Sequence, residues 1–175
     1  MRIAQKELTR AAARKKCYTP WAMPKKKSSP KKKSPSRVRI AIIAADFNKT
    51  IVGPMVESAK ATAAKLGVDC EIVISVPGSF EIPLVLDAVL QRDDVDAAAV
   101  LGYIEKGQTL HGEVMGHVVY KAVMDLELTY GKPVGLGIIG PGATLEQAET
   151  RNVSYGEAAV AAAVRSLACL EEAQK

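Results

Sequence analysis

The run G-Y-I-E-K-G-Q-T-L-H, residues 102 to 111, sets Lys106, Gln108 and Thr109 around a glycine and ends on a histidine. If a helix starts there, its free amides and a nearby base can hold an anion such as phosphate, beside an imidazole that titrates near neutrality. His111 serves equally well as a structural residue at a helix start. A second stretch, V-P-G-S-F-E-I-P at 76 to 83, joins a Pro-Gly turn to a helix start, with Ser79 as the expected N-cap. Amides, a hydroxyl and the Glu81 carboxylate at one helix end can bind a polyhydroxylated or heterocyclic ligand. Capping alone also accounts for Ser79, and dipole complementarity for Glu81. The triplet D-F-N at 46 to 48 places Phe47 at a strand end in a chain that is only 5% aromatic, so the ring either stacks on a flat heterocycle or plugs the core. G-P-G-A-T at 140 to 144 is glycine-rich but matches neither G-x-x-x-x-G-K-[ST] nor G-x-G-x-x-G, which leaves a nucleotide fingerprint unsupported. Arg151, beyond it, reads as a phosphate ligand or as an ordinary solvated arginine.

Metal chemistry is not expected. His111 and His117, the only histidines, stand six residues apart, a helical rotation of about 240° that points them to different faces, unlike the pair a zinc helix uses. Cys17, Cys70 and Cys169 are odd in number and widely spaced, matching neither a disulfide framework nor C-x-x-C; a reducing compartment with buried or inert thiols fits them.

These segments need elements to position them, and from Val38 onward short β-branched runs alternate with longer helical patterns. The strands expected are 38 to 44, 70 to 76, 97 to 103 and 134 to 139; the helices, 51 to 66, 80 to 92, 109 to 130 and 144 to 173. No hairpin signal separates the strands, and the intervening segments suit the crossovers of a parallel sheet, giving a three-layer α/β/α domain. In the third helix Val114, Val118, Ala122 and Leu126 recur every four residues and are expected on its buried face. Thr144 and Gln147 have capping-box spacing at the start of the fourth. In open parallel sheets ligands bind beyond the carboxyl ends of the strands, which singles out 46 to 48, 77 to 81, 104 to 111 and 140 to 144.

The 175 residues, 48% hydrophobic and with no apolar run read as long enough to cross a bilayer, fit one domain plus an extension, without a membrane partner. The net charge of +5 hides an asymmetry: residues 1 to 37 hold 13 Lys/Arg against one acid, Glu7, while the remainder holds 11 bases against 18 acids. An acidic domain, 38 to 175, carries a basic tail. Rich in Lys, Pro and Ser (P-K-K-K-S-S-P-K-K-K-S-P, 24 to 35), residues 1 to 37 cannot bury enough apolar surface to offset their ordering entropy and are expected to be disordered.

Taken in order, D-F-N, V-P-G-S-F-E-I-P, the G-x-x-x-x-G-x-T-x-H frame and L-E-Q-A-E-T-R (145 to 151) resemble the lumazine synthases, over residues 38 to about 170. The G-P-G turn is most similar to the archaeal branch. The resemblance implies a flavodoxin-like fold and a transferase that condenses 5-amino-6-(D-ribitylamino)uracil with 3,4-dihydroxy-2-butanone 4-phosphate, releasing phosphate and water with no cofactor. It implies that Phe47 stacks on the pyrimidinedione, that Asn48, Ser79, Phe80 and Glu81 hold the ring and ribityl chain, and that Ile104 and Glu105 line the opposite wall. By the same resemblance Gln108 and Thr109 cradle the phosphate, Arg151 of a neighbouring subunit pairs with it, and His111 transfers protons. Leu136 departs from the pattern, standing beside the substrate where many bacterial members place an aromatic. N-V-S-Y-G after Arg151 is shorter than in many shell-forming members, which leaves a homopentamer and an icosahedral assembly of pentamers both open.

The nearest rival, the archaeal-type riboflavin synthase, shares fold and ancestry but lacks the F-E-I-P and T-x-H combination. A catalytically silent flavin-binding member is not suggested, since every residue of the constellation is present. The tail resembles basic chromatin arms, so nucleic acid is a partner only through it. It reads equally as a non-functional extension, an organelle-targeting sequence or a nuclear signal, with cytoplasm as the default.

Overall fold

The computed structural model describes residues 37 to 175, so the expectation of a disordered tail lies outside the described residues save for Arg37. From there the chain runs β1 (Arg39–Ala45), α1 (Lys49–Lys65), β2 (Asp69–Val76), a 3-10 turn (Ser79–Glu81), α2 (Ile82–Leu90), β3 (Ala97–Glu105), α3 (His111–Tyr130), β4 (Val134–Ala143), α4 (Leu145–Glu149) and α5 (Asn152–Ala173). All strand pairs are parallel, in the order β2-β1-β3-β4, which is the expected α/β architecture.

Alternation along the strands builds two cores. Ile40, Ile42 and Ala44 of β1 face Ile51 and Met55 of α1 and Ala159, Val160 and Ala163 of α5. Ala41, Ile43 and Ala45 face Ile82 and Leu86 of α2 and Val119, Val123 and Leu126 of α3. Central strands buried on both faces read as near-continuous apolar runs, as R-I-A-I-I-A-A and A-A-A-V-L-G-Y-I-E do. α5 closes on α1 because Gly156 lacks a side chain: a Cβ there would lie 2.2 Å from the Met55 carbonyl oxygen.

Three expectations are corrected. The buried face of α3 is Gly116, Val119, Val123 and Leu126, whereas Val114 and Val118 are exposed. A strict four-residue spacing drifts by about 40° per step on a 3.6-residue helix, so that stripe winds off the core and only Leu126 reaches it. The last helix is broken at Thr150–Arg151. There the Thr150 hydroxyl donates to the Gln147 carbonyl (3.1 Å), and the Asn152 side-chain oxygen accepts from the Val153 amide (2.7 Å), a competition with helical hydrogen bonding that such polar side chains provide. Finally, α5 is long and apolar enough to cross a membrane by length and composition. In the fold it lays one face on the first core and carries Glu157 and Arg165.

Burial, with Asp69 adding to it, pushes the half-buried Cys70 thiol up, which fits an inert thiol; Cys169, by contrast, is exposed.

Candidate functional site

Strand order reverses between β1 and β3, so their carboxyl ends flank the crevice where this type of sheet binds ligands. The D-F-N loop leaves β1 under tight control. The Asp46 amide donates to the Val76 carbonyl (2.6 Å), and the Ser75 hydroxyl donates to the Asp46 carboxylate, tying β1 to β2. Asn48 turns the chain with a left-handed φ of 56°, and its carbonyl accepts from Ile51 and Val52 to open α1. The Asn48 side-chain oxygen accepts from the Thr50 hydroxyl at 2.7 Å. Phe47, 47% exposed, does not plug the core.

The loop after β2 differs from expectation. Ser79 caps nothing: residues 79 to 81 form the 3-10 turn, and α2 begins at Ile82 with Pro83 in its first turn. Proline favours the first turn because its missing donor costs nothing there, which places the helix start downstream of Ser79. Ser79 is instead 4% exposed, and its hydroxyl has no hydrogen-bond partner. It lies against β3, where a Cβ on Gly102 would come within 2.6 Å of it. Glu81 folds back so that its carboxylate stands 3.1 Å from where a Gly78 Cβ would be, while Phe80 is exposed.

At the end of β3, Ile104 is fully buried in the second core, so its side chain lines no open wall; Glu105 is exposed. Gln108 and Thr109 lie in the exposed loop before α3, with the Thr109 hydroxyl accepting from the His111 amide at 3.4 Å. His111 opens α3 as an exposed residue, held near β3 because Gly112 has no Cβ to meet the Glu105 carbonyl at 2.9 Å.

In the last residues of β4, Gly140 and Gly142 have φ of 105° and 90°, around a cis Gly140-Pro141 bond. The capping box forms as expected: Thr144 accepts from the Gln147 amide (3.3 Å), and Gln147 from the Thr144 amide (3.0 Å). Arg151 is exposed and donates to the Gln147 carbonyl at 2.9 Å. Leu136, 45% exposed, sits within β4 opposite Val100 rather than at the carboxyl edge.

One chain thus gathers Phe47, Asn48, Ser79, Phe80, Glu81, Glu105, Gln108, Thr109 and His111 along the carboxyl edge. Among the described residues, no hydrogen bond or ion pair joins Arg151 to Gln108, Thr109 or His111. Two surface hollows, of about 440 and 380 Å³, are lined by α3 residues including Val118 and Lys121, and by Asp46, Lys49, Val52, Val73 and Ser75. Neither is lined by Phe80, Glu81 or His111; Phe80 and His111 are exposed and Glu81 is half-buried, which makes this edge an open shelf. Sequence reading missed the residues that brace this shelf, Ser75, Tyr103 and Tyr120, because each acts by a contact far away in sequence.

A doubly wound parallel sheet with polar loops on its carboxyl edge, over a strand-order switch, defines an α/β ligand-binding domain. The family model described as 6,7-dimethyl-8-ribityllumazine synthase matches residues 37–171. A 6,7-dimethyl-8-ribityllumazine synthase of Methanococcus maripaludis is 42% identical over 137 residues, covering 78% of this chain and 99% of its own. One from Metallosphaera sedula is 45% identical over 130 residues, covering 74% and 86%, and one from Sulfolobus acidocaldarius is 38% identical over 137 residues, covering 78% and 87%. The chain belongs to the 6,7-dimethyl-8-ribityllumazine synthase family.

Proposed function

We propose that this protein condenses 5-amino-6-(D-ribitylamino)uracil with 3,4-dihydroxy-2-butanone 4-phosphate to give 6,7-dimethyl-8-ribityllumazine, phosphate and water, within residues 38 to 175. The observation that carries the proposal is the gathering of Phe47, the 79–81 turn and the Gln108–His111 loop along one carboxyl edge in a chain of this family. Phe47 offers an exposed ring to the pyrimidinedione, and Asn48, Ser79, Phe80 and Glu81 hold the ring and ribityl chain. Glu105 and the main chain of Ile104 border the other side. Gln108 and Thr109 receive the phosphate at the start of α3, where helix amides face outward. His111 moves the protons of imine formation and phosphate loss. Holding two substrates in register supplies much of the remaining acceleration.

Arg151 and Leu136 complete the shelf from a neighbouring subunit in a homopentamer or a shell of pentamers. Among the described residues the Arg151 side chain bonds only within its own segment, to Gln147 and Thr150, and Leu136 sits within β4 away from the carboxyl edge; these support the reading, as do the exposed apolar residues Leu110, Val114 and Val118 on and beside α3. The assay mixes the two substrates with the purified protein and follows lumazine by absorbance and fluorescence. Formation above the uncatalysed rate is the expected result; a folded, oligomeric preparation that gives none overturns the proposal.

A second reading concerns the tail alone. The 13 Lys/Arg of residues 1 to 37 against the single acid Glu7 supply the charge with which this segment would hold nucleic acid.

A further inference from the structure

The exit of β4 is clamped from three sides. From α3, the Tyr120 hydroxyl donates to the Gly140 carbonyl and shares its proton with the Ile138 carbonyl at 3.2 Å. From β3, the Tyr103 hydroxyl donates to the Ala143 carbonyl at 3.1 Å, which also accepts from the Lys106 amide at 2.9 Å. Gly116, one turn before Tyr120, lets the Pro141 ring close on α3: a Cβ there would stand 2.8 Å from it. Beneath, a Cβ on Gly140 would lie 2.1 Å from the Ile104 carbonyl oxygen.

Beyond the clamp the chain has little freedom of its own. Thr144 opens α4 through the capping box, α4 runs to Glu149, and Arg151 bonds back to Gln147. The short stretch from Gly140 to Ala143, held by Tyr120 at one end and by Tyr103 and Lys106 at the other, thus leads through the capping box to the Arg151 guanidinium. Tyr120 shares α3 with His111, so one rigid helix carries the proposed proton-transfer residue at its start and braces the segment that aims the arginine. Burial, with Tyr155 adding to it, pushes the Tyr120 hydroxyl up to about 12, which keeps it a donor across the working pH range.

We infer that Tyr120 is a positioning residue for phosphate recognition: by fixing the exit of β4 it sets the direction in which Arg151 leaves α4. The inference rests on the reading of Arg151 as a phosphate partner. Its action is indirect, since the hydroxyl is spent on main-chain carbonyls and has no proton to offer a substrate.

The test compares full-length wild type, Tyr120→Phe, Arg151→Ala and the double variant. Steady-state kinetics are measured in both substrates, and inorganic phosphate binding by calorimetry, so that one readout is independent of turnover. Tyr120→Phe should raise KM for the butanone phosphate and Kd for inorganic phosphate about three- to tenfold, the scale of one hydrogen bond. Its kcat and its KM for the uracil should stay within about twofold, and the effect should vanish in the Arg151→Ala background, as coupling through the arginine requires. An unchanged Tyr120→Phe, effects that add to those of Arg151→Ala, or kcat and both KM values moving together with a lowered Tm would overturn the inference. If Arg151→Ala leaves phosphate binding unaltered, the reading of Arg151 fails and the inference falls with it. If Arg151→Ala weakens phosphate binding while Tyr120→Phe does not, the inference alone falls.

Discussion

Ser79 rests on Gly102: a Cβ at residue 102 would stand 2.6 Å from the serine hydroxyl, closer than real side-chain contacts come. The loop after β2 therefore lies on β3 only because β3 has no side chain at that point. The juxtaposition also brings a buried, unpartnered hydroxyl to the edge where the proposed substrates meet.

Gly102→Ala should accordingly cost about 1–3 kcal/mol as an overpacking change. Ser79→Ala in the same chain should recover most of that by removing the colliding oxygen. Ser79→Ala alone deletes a buried polar atom without a partner and should leave stability unchanged or higher, while raising KM for the ribitylaminouracil. Chemical denaturation of the single and double variants measures the coupling; two additive losses would contradict it.

His111→Ala should lower kcat by about 10² to 10⁴, the usual contribution of a positioned acid-base group, without abolishing turnover. Substrate binding should persist, because Phe47, Glu81 and the loop before α3 stay in place. Complete loss of activity in a folded variant that still binds both substrates would contradict this division of labour.

Alkaline stability depends on two half-buried tyrosines, Tyr120 and Tyr130. Burial first, and then the hydrogen bond to Asp87, pushes Tyr130 up to about 12, as burial does Tyr120. In the unfolded chain these phenols ionise near 10, so above that pH the unfolded state loses protons that the folded state keeps. Stability is then intact below about pH 10 and falls as pH rises toward 12. Denaturation midpoints across this window should decline for wild type and less steeply for Tyr120→Phe, with tyrosinate absorbance reporting ionisation. Parallel curves would show that Tyr120 takes no part.

Removal of residues 1 to 36 should leave kcat and both KM values unchanged, since the chain enters β1 at the edge away from the shelf. Any binding to duplex DNA should disappear with those residues and, before removal, should weaken steeply with added salt. A shift titration at two salt concentrations, beside the lumazine assay, reads both outcomes.

The parallel sheet was legible because strands buried on both faces leave long apolar runs such as A-A-A-V-L-G-Y-I-E, and because helical segments separate them. The carboxyl-edge loops followed from that topology. Features set by packing geometry were harder to read. Val114 and Val118 look like core residues until their spacing is wound onto a 3.6-residue helix, and Ser79 looks like a cap until Pro83 is seen to start the helix later. Tyr120 carried no local signal at all, since its partners, Ile138 and Gly140, lie across the fold on another element.

The proposed reach of Arg151 into a neighbouring subunit's site has a genetic consequence. Under that proposal, a mixed ring of His111→Ala and Arg151→Ala chains places some intact His111 beside some intact Arg151. Co-refolding the two weakened variants should therefore give more activity than either recovers alone. Two damaged alleles expressed together would complement one another.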